Sequence, residues 1–175
     1  MGKLILIRHG HTPLNSHGKE ERLRSWLDVP LDEQGLQEAL ETSQKLAHLP
    51  VTAIYSSDLK RARHTAEMIR KTTLAAVTTT DELRPWNLGI FGGQLLREII
   101  PFLNLLNDRP DLPAPNGESF HQFYARYSQR LYEMLALAEA VPVELSGVTT
   151  WVMRSEHLMV IALKTGRPKD LMKLD

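Results

Sequence analysis

An α/β fold built on a mostly parallel, doubly wound sheet is what this sequence predicts, on three observations. Short apolar runs rich in Leu, Ile and Val alternate with longer segments of helical periodicity. The first run, Lys3 to Arg8, is almost continuously apolar, as in a strand buried on both faces of a parallel sheet. Three of the runs are followed at once by polar residues that include a base: Arg8-His9-Gly10, Ser56 to Arg61, and Arg154 to His157. Open α/β sheets bind ligands beyond the carboxyl ends of their strands, so those three segments are expected to converge.

The elements follow in order. Gly10 ends the first strand and opens a polar loop. Asp32 is placed to cap a helix whose stripe is Leu36, Leu40, Leu46, Ala47 and Leu49, with Pro50 as its stop. Val51 to Tyr55 is the second strand. A helix with a serine N-cap is expected from Ser56-Ser57-Asp58, turning Ala62, Ala66 and Ile69 inward. Val77 to Thr80 reads as a short strand, and Glu82 to Gly93 as loop. A helix covers part of Gln94 to Leu106, and the proline-rich stretch Asp108 to Gly117 is a connection. Ser119 and Gln122 form a capping box ahead of a long helix. Its stripe is Phe120, Phe123, Tyr124, Tyr127, Leu131, Met134, Leu135 and Ala138. Val148 to Met153 reads as a late strand, and Leu158 to Lys164 as a short final helix ended by Gly166 and Pro168.

Composition narrows the function classes. A chain of 175 residues with 42% apolar residues fits one domain, residues 1–175. No apolar run nears the roughly 18 residues of a membrane span, and Leu4 to Ile7 is too short for a signal peptide. Cysteine is absent, which removes disulfides and thiolate metal sites and makes the cytoplasm the expected location. Lys+Arg and Asp+Glu both number 21, so no whole-protein field favours nucleic acid or a membrane surface. An anion, if bound, must be held by local positive charge.

Arg8-His9-Gly10-His11-Thr12 is the motif that carries chemistry. A lone histidine at a strand end is more often an ordinary residue bonded to a backbone carbonyl, and Arg61, beside Lys60, Arg63 and His64, has a solvated basic face as its plain reading. The company of these residues decides otherwise. Arg8-His9-Gly10-His11-Thr12 with Asn15, then Trp26-Leu27-Asp28-Val29-Pro30-Leu31 with Gly35, then Tyr55-Ser56-Ser57-Asp58-Leu59-Lys60-Arg61-Ala62 with Thr65-Ala66, then Gly117-Glu118-Ser119, and finally His157 appear in one order. In that order they resemble the motifs of the histidine phosphatase superfamily, the phosphoglycerate-mutase-like proteins of branch 1. The resemblance runs from Lys3 to about Leu163.

It implies a three-layer α/β/α sandwich of the phosphoglycerate-mutase-like kind, with a lid-like insertion at about residues 85–130. It implies a small phosphorylated metabolite as substrate and His9 as the nucleophile. An imidazole is partly deprotonated near neutral pH, so it suits attack on phosphorus. Arg8 and Arg61 would hold the phosphoryl oxygens with guanidinium forks, and His157, if protonated, would add a donor. Thr12, Asn15 and Arg84 would bind substrate. These cations supply the countercharge, so no metal and no cofactor are expected. Oligomeric state is left open, a dimer among the options.

The sequence departs from the family at Leu83-Arg84-Pro85. Many members carry there, at the position of Pro85, the glutamate that protonates the leaving alkoxide and then activates water. Phe91-Gly92-Gly93 and Leu158 are further departures. Glu82 lies three residues upstream, about 10 Å away in an extended chain, and Pro85 keeps Arg84 extended. Asp81, Glu118 and Glu156 are the other carboxylates in reach of the argument. Glu118 ranks first because the lid helix starts beside it, although a first-turn acid also serves the helix dipole. Four readings follow: a phosphatase for a small phosphomonoester, a mutase-type phosphotransferase, a phosphatase for phosphohistidine or another phosphoramidate, and a non-catalytic phospholigand-binding protein.

Overall fold

The computed structural model describes residues 4–15, 21–136, 140–145, 148–153 and 158–162. A parallel four-stranded sheet is its base, built from β1 (Leu4–Ile7), β2 (Val51–Ser57), β3 (Ala76–Thr80) and β6 (Leu158–Ala162) in the order β1-β6-β2-β3. Helix α1 (Glu33–Leu46) joins β1 to β2, and α2 (Lys60–Thr73) joins β2 to β3. Each crossover is long enough to return the chain parallel, which a tight turn cannot do.

Apolar residues of the strands and the two helices make the first core: Ile7, Leu46, Val51, Ile54, Ala66, Ile69 and Ala75. The helices are pinned to each other where the Thr72 hydroxyl donates to the Ser43 carbonyl at 3.1 Å. Asp32 caps α1 as the sequence predicts, its Oδ1 accepting from Gly35 N at 2.9 Å. In β1, Ile7 is buried but Leu6 is 52% exposed, so that face is open where the apolar run suggested burial on both sides.

Three elements differ from expectation. The chain stays extended through Ser56 and Ser57, and α2 begins only at Lys60 with Leu59 as an N-cap that offers no side chain. The orphan amide of Lys60 is satisfied from a distance, by Asp28 Oδ1 at 2.7 Å. Val148–Met153 (β5) pairs antiparallel with β4 (Ala140–Leu145) in a separate hairpin sheet. Leu158–Ala162, expected as helix, is the strand β6 between β1 and β2. Leu-Met-Val-Ile-Ala is a continuous apolar run with central β-branched residues, a pattern that periodicity alone cannot divide between a buried helix and a buried strand.

A second core lies outside the sheet, in the segment between β3 and the end of α4. Single turns at Asp81–Leu83 and Gly89–Phe91 lead to α3 (Leu96–Asp108) and α4 (Phe120–Ala136). Leu88, Phe91, Ile99, Leu106 and Ala114 are buried together, with Trp86 and Leu112 against them. The capping box of α4 is formed in both directions: Ser119 N donates to Gln122 Oε1 and Gln122 N to Ser119 Oγ, at 2.9 and 3.2 Å. Phe120 and Phe123 pack against Trp86 and Tyr127 against Phe123, whereas Tyr124 is exposed. Among the described residues no helix is long and apolar enough to cross a membrane.

Candidate active site

The loop after β1 is the centre of the site. His9 is only 6% exposed, and its Nδ1 lies 2.7 Å from the Gly10 carbonyl. A carbonyl only accepts, so Nδ1 carries a proton, and in the neutral imidazole the lone pair is then on the second nitrogen, Nε2. The plain reading of a strand-end histidine, a ring bonded to a backbone carbonyl, is the contact seen here, and it fixes the tautomer.

Two contacts fix the loop. Gly10 N donates to Thr65 Oγ1 at 3.2 Å, and the Thr65 hydroxyl donates to the Arg61 carbonyl at 2.9 Å. A Cβ on Gly10 would lie 2.3 Å from the Gly35 carbonyl oxygen, and one on Gly35 would lie 2.0 Å from that of His11, so backbone meets backbone where α1 crosses the loop. His11 faces away from a substrate role, with Nδ1 on Asp32 at 2.6 Å and its amide on Glu38 at 2.8 Å. Thr12 is fully buried, and both its amide and its hydroxyl donate to Asn15 Oδ1, at 3.1 and 2.7 Å. With Oδ1 so engaged, the side-chain donor of Asn15 is its NH2.

Arg61 is 1% exposed on the first turn of α2. Its Nη1 donates to the Leu27 carbonyl at 2.6 Å and its Nη2 to that of Ser25 at 2.7 Å. Burial, then the neighbouring Arg24 charge, lowers its pKa to about 10, with Asp28 opposing. It stays a cation at neutral pH, held by neutral dipoles that do not cancel its charge. Arg8 is exposed at the loop entrance.

The other expected residues are placed differently. Arg84 is bidentate on Asp58, with Nε–Oδ1 2.7 Å and Nη2–Oδ2 2.5 Å, and its guanidinium stacks 4.7 Å over Trp26. The hydrogen bonds from Arg84 hold the Asp58 carboxyl below its usual pKa. Glu118 Oε1 accepts from Arg126 Nη2 at 2.7 Å and from Asn87 N at 2.9 Å. Its carboxylate thus ties α4 to the loop after Pro85. Glu82 is exposed and engaged by the Thr80 hydroxyl at 3.1 Å and by Arg130. Pro85 contributes its carbonyl, which accepts from Trp26 Nε1 at 2.7 Å. His157 and Glu156 lie outside the described residues.

Two residues that the motifs include without a role, Thr65 and Asp28, and two that lie outside them, Ser25 and Arg24, belong to the same structure. Thr65 anchors the loop after β1, and Asp28 caps α2. Ser25 holds φ at +41° while its carbonyl takes Arg61 and its hydroxyl accepts from Leu88 N at 2.8 Å. Arg24 is 5% exposed beside Leu14 and Glu21. In the sequence Glu20-Glu21-Arg22-Leu23-Arg24 resembles a solvated charge run, and only its position just before Trp26 marks it out.

His9 and Arg61 thus follow the carboxyl ends of two strands of one parallel sheet, β1 and β2, and likeness to known proteins gives the family. The profile of the histidine phosphatase superfamily (branch 1) matches residues 4–156, and the chain belongs to that superfamily. A probable phosphoglycerate mutase of Salmonella arizonae is 29% identical over 147 residues, 81% of this chain and 65% of the relative. One from Citrobacter koseri is 30% identical over 144 residues, 79% of this chain and 66% of the relative. The chain thus spans 65–66% of the length of these relatives. Among solved structures, a mycobacterial glucosyl-3-phosphoglycerate phosphatase in complex with VO3 superposes with a TM-score of 0.70 at 27% identity, covering 93% of this chain and 76% of that one. A putative alpha-ribazole-5'-P phosphatase of Escherichia coli, 21% identical, has a TM-score of 0.71 over 93% of this chain and 74% of its own, and shows the shared fold. The expected fold class stands: α/β, phosphoglycerate-mutase-like, with a parallel sheet.

Proposed function

We propose that this protein is a phosphatase that hydrolyses a small phosphomonoester through a phosphohistidine on His9. The observation that carries the proposal is the Nδ1–Gly10 carbonyl contact, which leaves the lone pair on Nε2 of a buried histidine. In the first step the Nε2–P bond forms as the ester P–O bond breaks. In the second, water attacks phosphorus, the N–P bond breaks and inorganic phosphate leaves. Arg61, with Arg8, neutralises the phosphoryl oxygens while charge moves across them, and the side-chain NH2 of Asn15 orients them; Thr12 acts through Asn15, since both its donors are spent on Asn15 Oδ1. Arg61 suits this task because its own partners are carbonyls, so a substrate anion meets an uncancelled charge.

The departing alkoxide must collect a proton, and among the described residues the candidates Glu118 and Glu82 are engaged elsewhere, by Arg126 and by Arg130. This favours substrates whose leaving group is acidic enough to depart unaided. It keeps phosphoramidates, phosphohistidine among them, as the second reading, since a nitrogen leaving group is protonated before the bond breaks. Rapid acid-sensitive quench with p-nitrophenyl phosphate is expected to trap a phosphoenzyme that is absent in His9→Ala. Normal turnover by that variant would refute the mechanism. Against a series of esters, log kcat/KM is expected to fall steeply as the leaving-group pKa rises; a flat line would mean that a proton donor is at work.

A further inference from the structure

We infer that His11 is a positioning residue, held as an imidazolium between Asp32 and the Asn15 carbonyl so that the Asn15 side chain is set for the phosphoryl group. The inference rests on the phosphoryl site proposed above and deepens it.

Both ring nitrogens of His11 face atoms that accept. Nδ1 lies 2.6 Å from Asp32 Oδ2, and Nε2 lies 3.2 Å from the Asn15 carbonyl oxygen. A neutral imidazole has one N–H and one lone pair. Either neutral tautomer therefore turns a lone pair against an oxygen, and only the imidazolium donates to both. A proton on Asp32 would be the other way to satisfy Nδ1, but that carboxyl is ionised. Burial alone would raise its pKa, and the bonds from Gly35 N and from His11 outweigh burial and hold it below its ordinary value. The plainer reading, a neutral ring that merely joins the Asp32 cap, explains the 2.6 Å contact and leaves the one at Nε2 repulsive.

The surroundings suit a cation. His11 stands beside the N-terminus of α1, where the helix dipole alone disfavours positive charge. Two acids of that segment offset it: Asp32 on the ring, and Glu38, whose Oε2 accepts from His11 N at 2.8 Å. The His11 side chain is 18% exposed, so water competes little for its ring nitrogens.

The ring acts on the residue that matters for the phosphoryl group. The Asn15 amide donates to the Thr12 carbonyl at 2.8 Å, and Asn15 Oδ1 accepts both donors of Thr12. Those bonds close the turn upon itself. Through His11, the Asn15 carbonyl is also tied to Asp32, whose Oδ1 caps α1. When Nε2 loses its proton, that tie becomes a contact between a lone pair and an oxygen, while Nδ1–H keeps Asp32. The contribution is thus present while the ring is charged and is lost as pH rises through its titration.

The test begins with two-bond proton–nitrogen correlation spectra of the wild-type protein at neutral pH. Both ring nitrogens of His11 are expected to be protonated, and a neutral tautomer there overturns the inference. Calorimetric binding of inorganic phosphate then reads the positioning without turnover. His11→Gln, which carries no charge and does not titrate, is expected to weaken phosphate about 3- to 10-fold, as loss of one positioned hydrogen bond implies. The wild-type advantage is expected to fade as the His11 ring titrates in the same spectra, since the ionisation of phosphate and of His9 is common to both proteins. An advantage that ignores that titration marks a merely structural brace and overturns the inference. In an Asn15→Ala background, His11→Gln is expected to change affinity by less than about twofold; a full effect there means that the ring acts by another route, which overturns it too. Should His11→Gln fail to fold, the advantage of wild type over Asn15→Ala is expected to fade with the same titration, and a constant advantage is the refuting result. Failure to trap a phosphoenzyme in wild type would remove the hydrolytic reading, while the spectra and the phosphate ratios still judge His11.

Discussion

Glu118→Gln is expected to loosen the segment between β3 and α4 while leaving turnover of activated esters largely intact. Glu118 Oε1 accepts from Asn87 N at 2.9 Å and from Arg126 Nη2 at 2.7 Å, and Oε2 accepts from Arg126 Nε at 3.3 Å. The ion pair is mostly buried, its side chains 22% and 16% exposed. Glutamine retains the oxygen for Asn87 and one contact with Arg126 but loses the charge. That costs about 1–2 kcal/mol, a share of the 1.5–3 kcal/mol typical of a bond to a charged group. For a domain of this size each kcal/mol moves the melting temperature by roughly 2–4 °C, so a drop of about 3–7 °C is expected. Glu118→Ala, which strands the Arg126 guanidinium, should fall by about twice as much. Thermal unfolding by circular dichroism reads the first half, and kcat/KM for p-nitrophenyl and alkyl phosphates the second. A fall of about 100-fold in kcat confined to the alkyl ester, with the melting temperature unmoved, would show Glu118 donating the proton and refute its role as a brace.

Thr65→Val keeps the volume at a 1% exposed position but removes the acceptor for Gly10 N. It is expected to cost about 1–3 kcal/mol in urea unfolding and to lower kcat roughly tenfold through His9, with Thr65→Ser restoring both. Leu74 ends α2 at φ +59° and is 86% exposed, so Leu74→Asn should raise stability by about 0.5–1 kcal/mol in thermal melts; a decrease would contradict the αL strain argument. Asp58 has its folded pKa lowered by Arg84, so its contribution is present above the unfolded value of 3.8 and is lost as pH falls through the folded one. Asp58→Asn is accordingly expected to flatten the acid limb of stability below about pH 4, and an unchanged limb would mean that the pair is inert.

The parts of the site that were legible in the sequence are those set by local chain geometry. His9 stands between an apolar strand and a glycine, and Arg61 comes just after the Ser-Ser-Asp-Leu run; both were readable because motif and strand end coincide. The capping box at Ser119 and the Asp32 cap were readable for the same reason, since each bond spans three residues. What the sequence hid depends on contacts between distant segments. Asp28 caps a helix from 32 residues away, and Arg24 looks like one charge in a solvated run until its burial is known. Arg84 and Glu118 were read as facing substrate, yet each has a partner, Asp58 at 26 residues and Arg126 on the next turns of α4, that no periodicity announces. The final apolar run was assigned to the wrong element because five apolar residues satisfy either period.

These long-range pairs explain why a chain of zero net charge can hold a strongly cationic centre. Acids outside it are spent on their own bases: Asp58 on Arg84, Asp28 on Lys60, Glu118 on Arg126. Arg61, by contrast, is held by carbonyls, which orient a guanidinium without neutralising it. The same pairing carries the second core to the first. Trp26 sits with Arg84 at 4.7 Å and Arg126 at 5.6 Å from its ring, donates to the Pro85 carbonyl, and is flanked by Ser25 and Leu27, whose own carbonyls hold Arg61. One indole ring thus adjoins both an α4 side chain, Arg126, and the segment whose carbonyls hold Arg61. Proline at position 85 fits this arrangement: it has no proton to give, but its fixed φ presents the carbonyl that Trp26 needs.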